Sequence, residues 1–396
     1  MTSPLRRWRR QRRDPGAPRA ATPHPGAPRA AQADPPSRRV VLVVSDLHLG
    51  TGNVLPDGTV NARDLFRAGR QFIEFLEYHR TGEYRQVPVE LVINGDFIEG
   101  LQPDEWTADP DMITEERAVA LTEQVVRGHA AVFEALAQFA EDPLRQVTLT
   151  VGNHDQLLFF DGVRAVLERA LGQVTFALHF LRRGRVHIEH GNQREPMNHF
   201  DAETPIVAEG LPAPILQLPL GSDLVVSWVN RLKQIRHYTD RIRPFRLLIS
   251  WSWVHDFRFA VKAFWTFATT LVAARFRPHA ARRRGLLRTL FTLLRPTPIK
   301  TLERPAREIL AEHPDVDLVV LGHSHSPMHR SFPEVGEYIN TGTWVETISL
   351  HPGSLGRHLR LTYARLEWEG PEDAAVMRAS LRRWYGRYRL EDEFHP

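Results

Sequence analysis

Five short segments of the sequence carry aspartate, histidine and asparagine in patterns that could bind metal ions. Each segment follows a run of apolar residues, and together they are "VVSDLHLG" (43–50), "LVINGDFIEG" (91–100), "LTVGNHDQ" (149–156), "VHIEHGNQ" (186–193) and "VVLGHSHS" (319–326). Imidazole nitrogens and carboxylate or amide oxygens suit Mn, Fe, Zn and Ni, and the chain contains no cysteine that could add a thiolate. The sequence therefore predicts a metal centre with nitrogen and oxygen ligands alone.

The spacing inside these segments suggests how the ligands could share a centre. Asp46 and His48, like His323 and His325, are two residues apart, and in an extended segment such pairs point to the same side. A carboxylate such as that of Asp96 can bridge two cations. Taken alone, an Asp-x-His pair at a strand end is more often a turn or cap, Gly-Asn-His-Asp could also form a turn, and Gly-His-Ser-His is common enough to mislead. The prediction therefore rests on all five segments occurring in order, each after an apolar strand.

The elements that would position these residues alternate between strands and helices. Helical patterns at 62–80 and 115–140 lie between apolar runs, which indicates an α/β sheet covered by helices. In such sheets ligands bind beyond the carboxyl ends of the strands, where the five polar segments would meet. The predicted strands are "RRVVLVVSD", "PVELVINGD", "QVTLTVGN", "RVHIEHG", "DLVVLGHSH", "EYINTGTWVE" and "LRLTYARLEW".

Taken together, the motifs resemble the calcineurin-like metallophosphoesterase superfamily. Its order of Asp-x-His, Gly-Asp, Gly-Asn-His-Asp/Glu, His and Gly-His-x-His recurs here over 40–200 and 305–368. The resemblance implies an α/β fold, a four-layer α/β sandwich, here with a large, mainly helical insertion. It also implies two divalent metal ions, Mn²⁺ first and Fe, Zn or Ni as alternatives. The implied ligands are Asp46, His48, Asp96 and His325 for one ion and Asp96, Asn153, His190 and His323 for the other.

The same resemblance implies a dinuclear-metal phosphoesterase. It would hydrolyse a phosphodiester, phosphomonoester or pyrophosphate by attack of a metal-bridging hydroxide. His154 matches the family histidine that stabilises the transition state or protonates the leaving oxygen, and Asp155 is predicted to orient its ring. Glu99 is expected to accept a hydrogen bond rather than to bind metal. Candidate substrate contacts are Asn192, Gln193, Arg194, Asn198 and His329.

The domain organisation follows from composition. The chain is predicted to consist of an Arg/Pro/Ala-rich disordered tail (1–38), a metallophosphoesterase core (39–200 and 301–370), a helical basic insertion or cap (201–300) and a C-terminal helical extension (371–396).

Charge is unevenly distributed along the chain. Residues 1–39 have a net charge of +8 and residues 221–300 of +13, so that the remainder carries −17 of a total of +4. The insertion also contains an apolar stripe (Leu287, Leu290, Phe291, Leu294) opposite Arg284, Arg288 and Arg295, together with Trp228, Trp251, Trp253 and Trp265. This mixture predicts contact with an anionic membrane surface. The alternatives are an intramolecular cap, a contact between copies of the chain, or nucleic-acid binding.

No apolar run follows the basic N-terminus, and the longest apolar stretch is about half a membrane span. We therefore expect a cytoplasmic protein, peripheral on the inner face of the membrane. A lipid-linked or membrane-proximal substrate would fit this location. The competing enzyme hypothesis is a soluble nuclease or cyclic-nucleotide phosphodiesterase. The non-enzyme hypothesis is a membrane-recruited scaffold, which the complete ligand set disfavours.

Overall fold

The structure is a computed structural model that describes residues 38–103, 112–243, 245–277, 301–370, 376–386 and 392–394. In chain order its strands are β1 (Arg38–Val44), β2 (Val89–Asn94), β3 (Arg145–Thr150), β4 (Val174–Ala177), β5 (Leu181–Arg183), β6 (Val186–Ile188), β7 (Ile206–Val207), β8 (Ile215–Leu216), β9 (Ile242–Arg243), β10 (Leu318–Leu321), β11 (Met328–Phe332), β12 (Gly336–Asn340), β13 (Thr347–Ser349), β14 (Gly356–His358), β15 (Thr362–Glu369), β16 (Val376–Arg383) and β17 (Asp392–Phe394). Its α-helices are α1 (Gly69–Tyr78), α2 (Glu115–Gly128), α3 (Ala130–Ala140), α4 (Asp161–Leu171), α5 (Leu220–Leu224), α6 (Asn230–Lys233), α7 (Phe245–His255), α8 (Phe257–Arg275) and α9 (Glu303–Glu312).

Two large mixed sheets form the centre of the fold. The first has the strand order β17-β16-β15-β1-β2-β3-β4, with β1 to β4 parallel and β15 to β17 antiparallel. The second has the order β11-β12-β10-β6-β5, with β12, β10 and β6 parallel. The seven strands predicted from the sequence correspond to β1, β2, β3, β6, β10, β12 and β15.

The layers are held together by side chains that alternate along the strands. In β1, Val41 and Val43 pack against residues of the second sheet such as Ile188 and Val320. The opposite face of the first sheet packs against α1 to α4, and α9 covers the second sheet. The order helix, sheet, sheet, helix confirms the predicted four-layer α/β sandwich. Because its central strands are buried on both faces, they read as continuous apolar runs.

The C-terminal segment differs from its prediction. Residues 371–396 were expected to be helical, but the described part forms β16 and β17 at the edge of the first sheet. Met377, Ala379 and Leu381 contact the core between the sheets, which is the two-residue period of a strand. The arginines between them hide this period in a hydropathy profile.

The insertion is attached to the core by several elements. Strand β9 pairs in parallel with β13, and helices α7 and α8 form a hairpin whose inner face packs around Leu232, Leu248 and Phe259. The predicted amphipathic stripe at 287–294 and the tail at 1–37 lie outside the described residues. Within the described ranges, no helix is both long and apolar enough to cross a bilayer.

Candidate metal centre

The five polar segments meet where strands of both sheets end. Strands β1, β2 and β3 of the first sheet and β6 and β10 of the second each stop two or three residues before their first predicted ligand. All seven predicted ligands have buried or half-buried side chains. The convergence of the two sheets at this edge therefore produces one centre from segments distant in the sequence.

The first ligand group consists of Asp46, His48 and His325, with one ligand atom from each lying within 4.8 Å of the others. The Nε2 atom of His325 lies 3.1 Å from Oδ1 of Asp46 and 3.3 Å from Nε2 of His48. The other oxygen of Asp46 accepts hydrogen bonds from the Ser45 hydroxyl and from the backbone N–H of His323. These bonds leave Oδ1 directed at the two imidazoles.

The second group consists of Asp96, His190 and His323. Oδ2 of Asp96 lies 3.3 Å from Nε2 of His190 and 3.6 Å from Nε2 of His48 in the first group. Its Oδ1 accepts a hydrogen bond from the backbone N–H of His154. Oδ2 of Asp96 thus lies between the two groups, where its carboxylate could serve two bound ions.

Hydrogen bonds to the protein orient the two histidines of the second group. The Nδ1 atom of His190 donates to the carbonyl oxygen of Asn94 at 2.8 Å, which directs Nε2 to the centre. The Nε2 atom of His323 donates to Oε2 of Glu195 at 2.7 Å and leaves Nδ1 as the free ring nitrogen. Such bonds fix the tautomer of a metal-binding imidazole. Glu195 was missed in the sequence because nothing in its spacing relates it to His323.

Three of the predicted ligand atoms support the binding of cations at this centre. Oδ1 of Asp46, Oδ1 of Asn153 and Nε2 of His190 are buried and accept or donate no hydrogen bond within the described chain. Burying a polar atom without a partner costs free energy, so such atoms usually have a partner such as water or an ion. The nitrogen and oxygen donors here match those that divalent transition metals prefer. The residues therefore fit two divalent cations.

The backbone brings the ligands together in a way that the sequence did not predict. Asp46, His48, Asp96, His323 and His325 all have φ between 51° and 63°, in the left-handed region. The expectation that each Asp-x-His or His-x-His pair faces one side because it is extended is therefore wrong. Non-glycine residues adopt this conformation at a cost, and such strain is concentrated at functional sites.

Two glycines are required by close packing at the centre. A β-carbon on Gly95 would lie 2.4 Å from Nδ1 of His190, and one on Gly152 would lie 2.1 Å from Oδ1 of Asp96. Both distances are far below any real contact. Because they lack a side chain, Gly95 and Gly152 allow the loops after β2 and β3 to pack closely against His190 and Asp96.

Glu99 connects the first ligand group to His154. Its Oε2 accepts a hydrogen bond from Nδ1 of His48 at 3.0 Å, and its Oε1 accepts one from Nδ1 of His154 at 2.8 Å. Burial would raise the pKa of Glu99, but the two imidazoles hold it well below its usual range. Burial likewise lowers the pKa of His154, yet the charges of Glu99 and Asp96 raise it to about 9.

The predicted role of Asp155 is wrong. Its oxygens accept hydrogen bonds from the backbone N–H groups of Gly152 and Phe97, at 2.6 and 2.8 Å, while the ring of His154 is held by Glu99. Residues adjacent in sequence point in different directions in this turn. Asp155 therefore ties together the loops after β2 and β3. Burial and the nearby Asp96 charge raise its pKa to about 6.

Of the five predicted substrate contacts, one lines the cavity above the metal centre and the other four contact other protein groups. Asn198 lines the cavity above the metal centre. Arg194 instead forms an ion pair with Glu189, at 2.8 Å. The remaining three also have partners of their own: Asn192 donates to the carbonyl of Asn198, Gln193 accepts from the N–H of Phe200, and His329 contacts Glu337.

A cavity of about 320 Å³, here called the metal cavity, opens above the ligands. It is lined by Asp96, Asn153 and His154, and residues of the insertion form a further, apolar wall. That apolar wall consists of Leu224, Val225, Trp228 and Val229. The tryptophan content of the insertion was visible in the sequence, but which residues face the metal ligands depends on tertiary packing.

Hydrogen bonds fix this wall to the ligand loops. The hydroxyl of Ser222 donates to the carbonyl oxygen of Asn153, and the side chain of Asn230 donates to the carbonyl oxygen of Leu101. The segment carrying the wall therefore contacts the loops after β2 and β3 directly.

No curated protein sequence matches the chain. Solved structures similar to it include a predicted phosphoesterase from Streptococcus pneumoniae (12% identity, 90% of this chain and 97% of that chain covered, TM-score 0.29), a dimetal phosphatase from Danio rerio (12%, 90% and 99%, 0.34) and the calcineurin-like phosphoesterase YfkN from Bacillus subtilis (10%, 87% and 90%, 0.34). The family model of the calcineurin-like phosphoesterases matches residues 39–327. Since this match spans more than half of the sequence, the chain belongs to the calcineurin-like phosphoesterase family.

Proposed function

We propose that the protein is a dinuclear-metal phosphoesterase that hydrolyses a phosphoester of an amphiphilic, lipid-linked substrate at a membrane surface. The observation that carries the hydrolytic part is the position of Asp96, whose Oδ2 lies between two groups of buried ligands. The apolar wall facing those ligands supports the amphiphilic substrate.

The ligand groups Asp46–His48–His325 and Asp96–Asn153–His190–His323 would hold two divalent ions, with Mn²⁺ as our first choice. Bound ions of this kind activate water and neutralise charge on a phosphoryl group. The protein's own part is carried by His154, which lines the metal cavity and is held through Nδ1 by Glu99. Because its pKa is raised, His154 keeps its proton near neutral pH and can donate it to the leaving oxygen.

The helical hairpin α7–α8 carries an exposed apolar surface, here called the aromatic surface. Its members include Trp251, Phe257 and Trp265, which are 53%, 61% and 62% exposed. The full set is Leu247, Trp251, Trp253, Val254, Phe257, Phe264, Trp265, Val272 and Phe276. Contiguous exposed apolar side chains of this size mark interaction sites, and tryptophan favours the boundary between water and lipid.

The charges around the aromatic surface favour an anionic bilayer as its partner. Arg258, Lys262 and Arg275 are exposed on α8. The acidic residue of the described hairpin, Asp256, is neutralised by Arg236 at 2.9 Å. Each basic residue close to an anionic membrane contributes about 1 kcal/mol of binding.

The aromatic surface and the apolar wall belong to one helical unit. The indole N–H of Trp228, in the wall, donates to the carbonyl oxygen of Ala263 and to the hydroxyl of Thr266 on α8. A lipid-linked substrate could therefore keep its chain beside this unit while its phosphoester reaches the ligands.

The test compares Mn-loaded protein on bis(p-nitrophenyl) phosphate and on a nucleotide diphosphate-lipid, with neutral or anionic vesicles. We expect lipid turnover to rise with anionic vesicles, and the double variant Trp251→Ser/Trp265→Ser to lose vesicle binding and most of that gain. Leu355→Ser, which removes a side chain that is 70% exposed outside the hairpin, is the matched control. Circular dichroism would verify that each variant is folded.

Other outcomes would favour the competing hypotheses. Turnover of the small diester alone, indifferent to vesicles and to the tryptophan variants, would contradict a membrane substrate and favour a soluble nucleotide or nucleic acid. Metal-loaded protein that hydrolyses neither ester would contradict the enzyme hypothesis and favour a scaffold.

A further inference from the structure

A second cavity of about 440 Å³ adjoins the metal cavity. The two share the metal ligand His325 and also Arg243, Phe245, Val345 and Thr347. A molecule whose phosphoester lies at the metal ligands could therefore extend into the second cavity without leaving the protein surface.

The second cavity, here called the basic cavity, has the chemistry of an anion site. Four residues besides His325 bring cationic or imidazole groups to its walls: Arg243, His351, His358 and Arg360. Five more bring hydroxyl groups: Ser324, Ser326, Thr343, Thr347 and Ser349. Among the described residues that line it there is no aspartate or glutamate, whereas the metal cavity includes Asp240 and Glu346 as well as ligands. Guanidinium and hydroxyl donors without competing carboxylates are suited to a phosphate.

The position of Arg243 relates the basic cavity to the reaction site. Arg243 belongs to β9, which is fixed by its pairing with β13. Its guanidinium donates to the carbonyl oxygens of Asp240 and Ile242, at 2.6 and 3.3 Å. In the described part of the chain no carboxylate lies within ion-pair distance of Arg243, so its charge remains available at the junction of the two cavities.

Arg360 also lines the basic cavity and lies in the chain between β14 and β15. It is exposed, and no described carboxylate forms an ion pair with it. The neighbouring Arg357 differs, because its guanidinium contacts Oε2 of Glu346 at 2.7 Å. Of these two nearby arginines, one lines the cavity and the other is neutralised outside it.

We propose that the basic cavity binds a second, non-hydrolysed phosphate group of the substrate. The proposal rests on the proposed function, because it places the hydrolysed phosphoester at the metal ligands. Arg360, His351 and His358 receive the second phosphate, and Arg243 lies between it and the first. The preferred substrates are therefore phosphoesters that carry an additional phosphate on the same molecule.

The test uses two chromogenic esters with the same reacting bond: thymidine 5′-(p-nitrophenyl phosphate) with and without a 3′-phosphate. We expect metal-loaded wild-type protein to favour the bisphosphorylated ester in kcat/KM by about tenfold, which is the gain from one charge-assisted hydrogen bond. Arg360→Ala should bring the ratio of the two kcat/KM values close to one, and Arg360→Lys should restore part of it. Arg357→Ala is the matched control and should keep the wild-type ratio.

Inorganic phosphate distinguishes a substrate subsite from a site for a free anion. If the cavity serves the substrate, added phosphate lowers the wild-type ratio, and this effect is lost in Arg360→Ala. A ratio near one in every protein, with phosphate altering turnover of the simple ester only when Arg360 is present, would overturn the proposal in favour of a free anion. Absence of turnover of both esters, in protein that also hydrolyses neither bis(p-nitrophenyl) phosphate nor the nucleotide diphosphate-lipid, would instead contradict the proposed function.

Discussion

Replacing Glu99 by glutamine tests whether this carboxylate orients His48 as a metal ligand and keeps His154 protonated as the acid. The carboxylate of Glu99 is buried and accepts one hydrogen bond from His48 and one from His154. A glutamine of the same shape offers one oxygen and one NH₂ group, so it can accept from only one of the two imidazoles. The other imidazole must move its proton from Nδ1 to Nε2 to avoid two facing donors.

A glutamine at position 99 can accept a hydrogen bond from His48 or from His154, and the site is impaired in both cases. A proton on Nε2 of His48 blocks the nitrogen that faces Asp96 and His325, and a neutral His154 loses its capacity to donate. Loss of such a supporting partner costs about 10- to 100-fold in activity or metal affinity. This range corresponds to about 1.4 to 2.7 kcal/mol of transition-state stabilisation.

The pH profile separates this mechanism from a loss of stability. In the wild type, Glu99 and Asp96 raise the pKa of His154 to about 9 against the effect of burial, so the protonated form persists through neutral pH. Without the Glu99 charge this pKa falls, and the alkaline decline of kcat must move to lower pH. The assay is hydrolysis of bis(p-nitrophenyl) phosphate between pH 6 and 10, at saturating metal.

Glu90→Gln is the matched control for this experiment. Glu90 is buried at the start of β2 and pairs with Arg183 at 2.6 Å, at the end of the strand away from the ligands. The control should lower stability without moving the alkaline decline. If Glu99→Gln had wild-type kcat and an unchanged profile, the assignment of His154 as the acid supported by Glu99 would be refuted.

Three further predictions concern the metal ligands and a buried histidine. Asp96→Asn should abolish hydrolysis and lower metal content measured by mass spectrometry, because an amide cannot replace a bridging carboxylate; an active, metal-replete variant would contradict the bridging position. Burial lowers the pKa of His190, but the charges of Asp96 and Asp46 raise it to about 10. Metal loading at pH 7 should therefore release about one proton from this ring, and a pH indicator in weakly buffered solution would detect it. Burial lowers the pKa of His79 to about 3, so its contribution to stability is complete above pH 6.5 and is lost as the pH falls towards 3. At pH 5 the loss is about 2 kcal/mol, and His79→Leu should flatten the difference in urea midpoint between pH 5 and 7; an unchanged difference would show that other groups dominate.

The fold was predictable because its signals are local. Buried strands of a sandwich read as apolar runs, and the polar segments after them mark the edge where the site lies. The candidate ligands were proposed from these segments and from the family pattern. The C-terminal strand was missed because Arg378 and Arg382 interrupt the apolar residues that face the core.

The geometry of the site was less predictable because it depends on contacts between distant segments. The left-handed conformations of Asp46 and His48 are imposed by neighbouring loops, as in the bonds from their backbone N–H groups to the carbonyl oxygens of Gly95 and Asp96. Likewise, sequence adjacency favoured Asp155 as the partner of His154, whereas the partner in space is Glu99, 55 residues away.

The insertion is best understood as part of the site rather than as a detachable recruiting segment. Ser222 and Asn230 satisfy carbonyl oxygens of Asn153 and Leu101, in the loops that follow two ligand-bearing strands. Arg243, further along the same insertion, lines both cavities together with His325. Removing the insertion would remove both donors and expose the loops after β2 and β3 to solvent. The elements of the insertion that line the two cavities are therefore coupled physically to the loops that carry the candidate metal ligands, and changes in one are expected to alter the other.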